Sequence, residues 1–90
     1  MKKKKIKHNY QAVLKKGGCA VIDNVAKVPL YFFDYTANQS ENVDAESAML
    51  KIAGLMNLLE FENLENQMKE TALGILKEYE HLKVKPNGTH

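Results

Sequence analysis

The chain predicts an α+β fold: a short antiparallel β-meander over about residues 19–35, packed against a C-terminal helical hairpin over about 44–60 and 62–83. Three observations carry this expectation. Short β-branched and aromatic runs crowd the span from Cys19 to Tyr35, the usage of pleated, half-buried strands. From Val43 onward the apolar residues recur with a helical period,. An acidic stretch, Glu60, Glu62 and Glu65, is expected to divide that helical region in two, as carboxylates gather at helix starts; a single helix over 44–83 is the alternative, since EFENLEN holds neither Gly nor Pro.

The opening, MKKKKIKH, reads as a flexible basic arm over residues 1–8. Behind it, NYQAVLKKGG admits two incompatible readings. As a short helix over 10–16, Asn9 caps it, Tyr10, Val13 and Leu14 share a face, Lys15 and Lys16 suit the dipole, and Gly17 closes the end. As a strand, Tyr10, Ala12 and Leu14 point one way, Gln11 and Val13 the other, and Lys-Lys-Gly-Gly turns the chain. The helix is preferred because it gives Asn9 and both glycines a role.

Cys19–Ile22 and Val25–Val28 read as two short strands turning at Asp23-Asn24, and Pro29 marks a strand start or an edge,. Leu30–Tyr35 is the third strand, and TANQSEN a polar loop that ends the sheet. In the first hairpin helix, Asp44 is the expected N-cap, and Ala45, Ala48, Met49, Ile52, Leu55, Met56 and Leu59 form one face,. The second helix carries Leu64, Met68, Ala72, Ile75, Tyr79 and Leu82 as a stripe and stops at Pro86-Asn87-Gly88,. Residues 9–85 thus form one α+β domain, with 86–90 a disordered tail.

Composition bounds the function. Hydrophobic residues make up 44% and charged residues 27%, ordinary globular usage. Ninety residues bury only about 60–65% of the unfolded surface, a size at which cores are commonly completed by a partner subunit. The net charge of +2 is uneven: residues 1–40 hold eight lysines against two acids, residues 41–90 five lysines against nine,. Every basic residue is lysine, which favours diffuse, salt-sensitive attraction over the bidentate base reading that arginine provides. A single cysteine excludes an intramolecular disulfide, and no run is apolar and long enough for a membrane span,. A cytoplasmic protein that does not enter a membrane is the expectation.

No catalytic, cofactor or metal constellation stands out. His8, His81 and His90 lack ligand spacing,. Cys19 has no nucleophile signature, Glu60, Glu62 and Glu65 fit a solvated helix start, and Gly17-Gly18 lacks the rest of a phosphate loop,. Asn87-Gly88-Thr89 matches a glycosylation acceptor without a secretory signal before it,. No enzyme activity and no cofactor is expected.

What remains is surface. Leu50, Leu58 and Phe61 lie opposite the core face of the first hairpin helix, and a helix with two apolar faces must be covered twice. Tyr31, Phe33 and Tyr35, on one side of the third strand, are an alternative patch. The expected function is a small non-enzymatic interaction or regulatory module whose second helix face pairs with a second copy of the chain, forming a homo-oligomer, or with another protein partner. The alternative is a nucleic-acid-associated protein in which Lys2, Lys3, Lys4, Lys5, Lys7, Lys15 and Lys16 make non-specific phosphate contacts,. The order of one strand and two helices behind a lysine run resembles that of ribbon-helix-helix repressors over residues 30–83, whose paired strands enter the DNA major groove. LYFFDY carries aromatics and an Asp where such strands carry polar or basic outward residues, so membership does not follow.

Overall fold

The computed structural model describes residues 8–84. The expected basic arm, except His8, and the expected tail lie outside the described residues. Three strands, β1 (Tyr10–Lys15), β2 (Gly18–Asp23) and β3 (Val28–Asp34), form an antiparallel sheet in the order β1-β2-β3. The helices α1 (Gln39–Leu58) and α2 (Asn66–Lys77) follow, then a 3-10 turn over Glu80–Leu82. The α+β class and the helical hairpin behind the strands are as expected.

The short helix over 10–16 is not formed: those residues are β1 and the two-residue loop Lys16-Gly17 that closes the hairpin. An isolated two-turn helix has little stability of its own, whereas β1 pairs with β2 over six residues without interruption, from Tyr10↔Asp23 to Lys15↔Gly18. The second glycine has a sheet role. A Cβ on Gly18 would lie 2.4 Å from the Phe33 carbonyl oxygen and 3.1 Å from the Phe32 ring, so only glycine lets β3 approach there.

Val25–Val28 is not a strand of its own. Asp23 turns the chain, accepting the Val25 N–H on its side chain at 3.0 Å and the Lys27 N–H on its carbonyl at 2.7 Å, with Lys27 at φ 61°. Val28 then opens β3, which runs on through Pro29. Pro29 is tolerated because β3 is an edge,, and because the pairing shifts there: Val21 faces Tyr31 while Ile22 faces Pro29. Leu30 is the extra residue of this β-bulge, and both Leu30 and Tyr31 pack on the core.

The first hairpin helix starts earlier than Asp44. Asn38 caps α1, its side chain accepting the Ser40 and Glu41 N–H groups at 3.0 and 3.2 Å,. The polar first turn carries no apolar periodicity, so TANQSEN reads as loop in sequence although it holds the cap. α1 ends at Leu58, and α2 begins at Asn66 with Glu65 at its cap position, so the break falls near the acidic stretch. α2 stops at Lys77, short of residue 83; Tyr79 and Leu82 pack on the core from beyond it.

Two asparagines fasten α1 across the sheet. Asn42 bonds both backbone groups of Thr36, just past β3, and Asn57 bonds both backbone groups of Tyr10, at the start of β1, all four bonds at 2.9 Å. α1 therefore crosses one face of the sheet diagonally, from the end of β3 to the beginning of β1. Between these anchors lies the core: Cys19, Val21 and Tyr31 from the sheet, Ala45, Met49, Ile52 and Ala53 from α1, and Leu76 from α2. A diagonal helix leaves two opposite corners of the sheet. The corner at the start of β3 is closed by the chain after the 3-10 turn, where Lys83 bridges Tyr31 and the Val84 N–H donates to the Leu30 carbonyl at 2.8 Å. At the β1–β2 loop the Tyr35 N–H donates to the Gly17 carbonyl at 2.9 Å and the Tyr35 hydroxyl donates to Glu46 of α1, while Leu14 at the end of β1 is exposed.

Candidate interaction surface

The two most exposed large apolar side chains of the described residues are Leu14 (65%), near the end of β1, and Leu50 (67%), in the middle of α1. Their placement follows from the anchors. Tyr10 and Ala12 on β1 pack on the core; Leu14 shares their side of the strand but is exposed and is not part of that core. Asn57 marks the side of α1 turned to β1, and Leu50, two helical turns earlier, lies on that same side. Counted from the Asn57–Tyr10 contact, Leu50 is about 10 Å along α1 and Leu14 about 13 Å along β1, in the same direction. Val43, also exposed, is two further turns along the same side of α1. Leu14, Leu50 and Val43 are thus exposed apolar side chains on the β1 side of α1 and near the end of β1, an edge strand of the sheet.

The other expected contact residues separate from Leu50. Leu58 is half-buried and lines a groove of about 310 Å³ between α1 and α2 with Leu55, Met68, Ala72 and Ile75. Phe61 is 64% exposed in the turn between the two helices. Tyr31 is buried in the core, and Phe33 and Tyr35 are half-buried against it. The Tyr35 hydroxyl donates to Glu46 at 2.5 Å, and that bond, with burial, pushes the phenol up to about 12. Lys15 and Lys16 are exposed at the tip of the β1–β2 hairpin; Lys2, Lys3, Lys4, Lys5 and Lys7 lie outside the described residues.

Leu14 was legible in the sequence only through the strand reading of β1, and its exposure only once α1 was known to cross the sheet obliquely. A second feature that sequence reasoning missed is the cluster around Asp23. This carboxylate is almost fully buried and takes a hydrogen bond from the His8 ring at 2.7 Å and from the N–H groups of Asn9 and Val25. Burial alone raises its pKa; the bonds from His8, Asn9, Val25 and Ala26 outweigh burial and hold it at about 2. His8 stacks on Tyr10 with ring centres 5.5 Å apart, so the cluster ties the start of β1 to the end of β2.

Other chemistry is sparse. Burial, with Glu46 nearby, pushes the Cys19 thiol up, away from the thiolate that a nucleophile needs. No group of three or more His, Cys, Asp or Glu among the described residues is arranged to hold a metal ion. A second open groove, of about 650 Å³, runs between Tyr10, Tyr31 and Met56 on one wall and Leu73 and Lys77 of α2 on the other. No helix among the described residues is long and apolar enough to cross a membrane. Comparison of the chain with protein-family models, curated proteins and solved structures finds no match in any of the three.

Proposed function

We propose that the chain is a small non-enzymatic interaction module that self-associates through the apolar surface around Leu50. The observation that supports this most is the balance of apolar side chains. Among the described residues ten hydrophobic residues are buried, five of them alanine or cysteine, while ten large hydrophobics stay exposed. The two most exposed are Leu50 on α1 and Leu14 on β1. Large apolar areas left in contact with water mark association surfaces, and burying a leucine contributes roughly 1.5–3 kcal/mol.

Light scattering tests the reading. The wild-type chain is expected at twice its 10.2 kDa mass, independent of salt, and Leu50→Glu at the monomer mass with its circular dichroism unchanged. A wild type that stays monomeric across the accessible concentration range overturns it. The same run with a DNA fragment tests the alternative, phosphate contacts by the lysine run with Lys15 and Lys16: a mass gain confined to low salt favours it.

A further inference from the structure

The two edges of the sheet are guarded unequally. β3 carries Pro29, a bulge and the covering segment at Lys83 and Val84, the devices by which natural sheets prevent edge-to-edge pairing. β1 carries none of them between Gln11 and Leu14; it is in unbroken register with β2, and its Leu14 is exposed. The Asn24 N–H donates to the Asn9 carbonyl, which fixes the alternation along β1. Residues 11, 13 and 15 bond inward to β2, and residues 10, 12 and 14 present their N–H and C=O groups outward. Asn57 occupies the outward groups of Tyr10. No hydrogen bond from a described residue reaches those of Ala12 and Leu14.

Those open groups select both occupant and register. A second copy related by a two-fold axis through Val13 sets Ala12 against Leu14′ and Leu14 against Ala12′, where the prime marks the second copy. All the open groups are then used, in four backbone hydrogen bonds. An axis through Ala12 wastes Leu14 on Tyr10′, whose groups Asn57′ already holds. An axis through Leu14 sends Ala12 against Lys16′ in the loop. In the Val13 register each large Leu14 meets a small Ala12′. Lys15 faces neutral Gln11′ and is separated from Lys15′ by about 13 Å along the strands, beyond the roughly 8 Å screening length at physiological salt. On the outer face, the row Val13, Ala20, Phe32, in register across the sheet, continues through Val13′ to Phe32′.

We infer that the chain forms a two-fold dimer by antiparallel β1–β1′ pairing centred on Val13, giving one six-stranded sheet with both α1 helices on the same face. The inference rests on the self-association reading and names its geometry. Pairing β1 with β1′ uses the same edge of both copies and therefore closes, whereas pairing β1 with the β3 edge of another copy would propagate, and β3 is the guarded edge.

Two variants test it. In a Cys19→Ala background, Val13→Cys places two thiols directly opposite each other in a non-hydrogen-bonded pair, a spacing at which a disulfide forms. Mild oxidation is expected to convert it to a covalent dimer, while Gln11→Cys, about 13 Å from its own copy, stays uncrosslinked. Ala12→Pro removes an N–H that β2 does not use, so the sheet is expected to persist by circular dichroism while the mass falls twofold. A wild-type dimer in which Val13→Cys does not cross-link and Ala12→Pro leaves the mass unchanged overturns edge pairing and leaves self-association standing. A monomeric wild type overturns both.

Discussion

Asn57 and Tyr10 are joined by two hydrogen bonds: the Tyr10 N–H donates to Asn57 Oδ1, and Asn57 Nδ2 donates to the Tyr10 carbonyl, both at 2.9 Å. A helix side chain thereby takes the place of a neighbouring strand for one residue of β1. The contact spans 47 positions of sequence and fixes the C-terminal end of α1 on the edge of the sheet, as Asn42 fixes the other end at Thr36.

Asn57→Ala removes both bonds and leaves two partly buried backbone groups without partners, at a cost of about 1–3 kcal/mol. Asn57→Asp keeps the acceptor but sets a carboxylate against the Tyr10 carbonyl, so it is expected to cost at least as much at neutral pH. Urea unfolding of the two variants measures this. A midpoint unchanged in both contradicts the role of Asn57 as an anchor. Because Asn42 and Asn57 sit at opposite ends of α1, their alanine substitutions are expected to add.

Gly18 and Gly17 are adjacent in sequence and opposite in consequence. Gly17 has open space where a Cβ would go, while at Gly18 the Cβ would meet the Phe33 carbonyl oxygen at 2.4 Å. Gly18→Ala therefore forces β2 and β3 apart, costing about 1–3 kcal/mol as overpacking does, and Gly17→Ala should be nearly neutral. Thermal melts of both variants decide this. Equal loss at the two sites contradicts the close approach of β3.

The class of fold was legible because it rests on composition and period: β-branched runs before residue 35 and a helical stripe at Ala45, Met49 and Ile52. The misread segments failed for separable physical reasons. In NYQAVLKKGG, local signals favour a helix; long-range partners, β2 along the strand and Asn57 across it, decide the strand. At TANQSEN the helix start is polar, and Asn38 and Asn42 work by hydrogen bonds that leave no apolar trace. Leu50 was legible as a residue off the core face, but its grouping with Leu14 depends on the angle at which α1 crosses the sheet. Nothing in the periodicity of either element encodes that angle.

Asp23 makes stability depend on acid in a defined window. Its carboxyl ordinarily titrates near 3.8 and is held at about 2 in the folded chain by the bonds from His8, Asn9, Val25 and Ala26, which outweigh its burial. The folded state thus binds this proton less readily than the unfolded chain does. The stabilisation is fully present above about pH 4 and is lost as the pH falls through 2. Other carboxylates titrate nearby, so the informative quantity is the difference between wild type and Asp23→Asn. The wild type is expected to be the more stable at pH 5, with the gap shrinking steadily between pH 4 and 2 in urea unfolding. His8→Ala, which removes one of the bonds, is expected to move the Asp23 carboxyl resonance titration upward in carbon-13 NMR while leaving its other donors in place. A gap that stays constant from pH 5 to pH 2 would mean that the carboxylate is not the form the fold selects, and that its tie between the start of β1 and the end of β2 does not depend on charge.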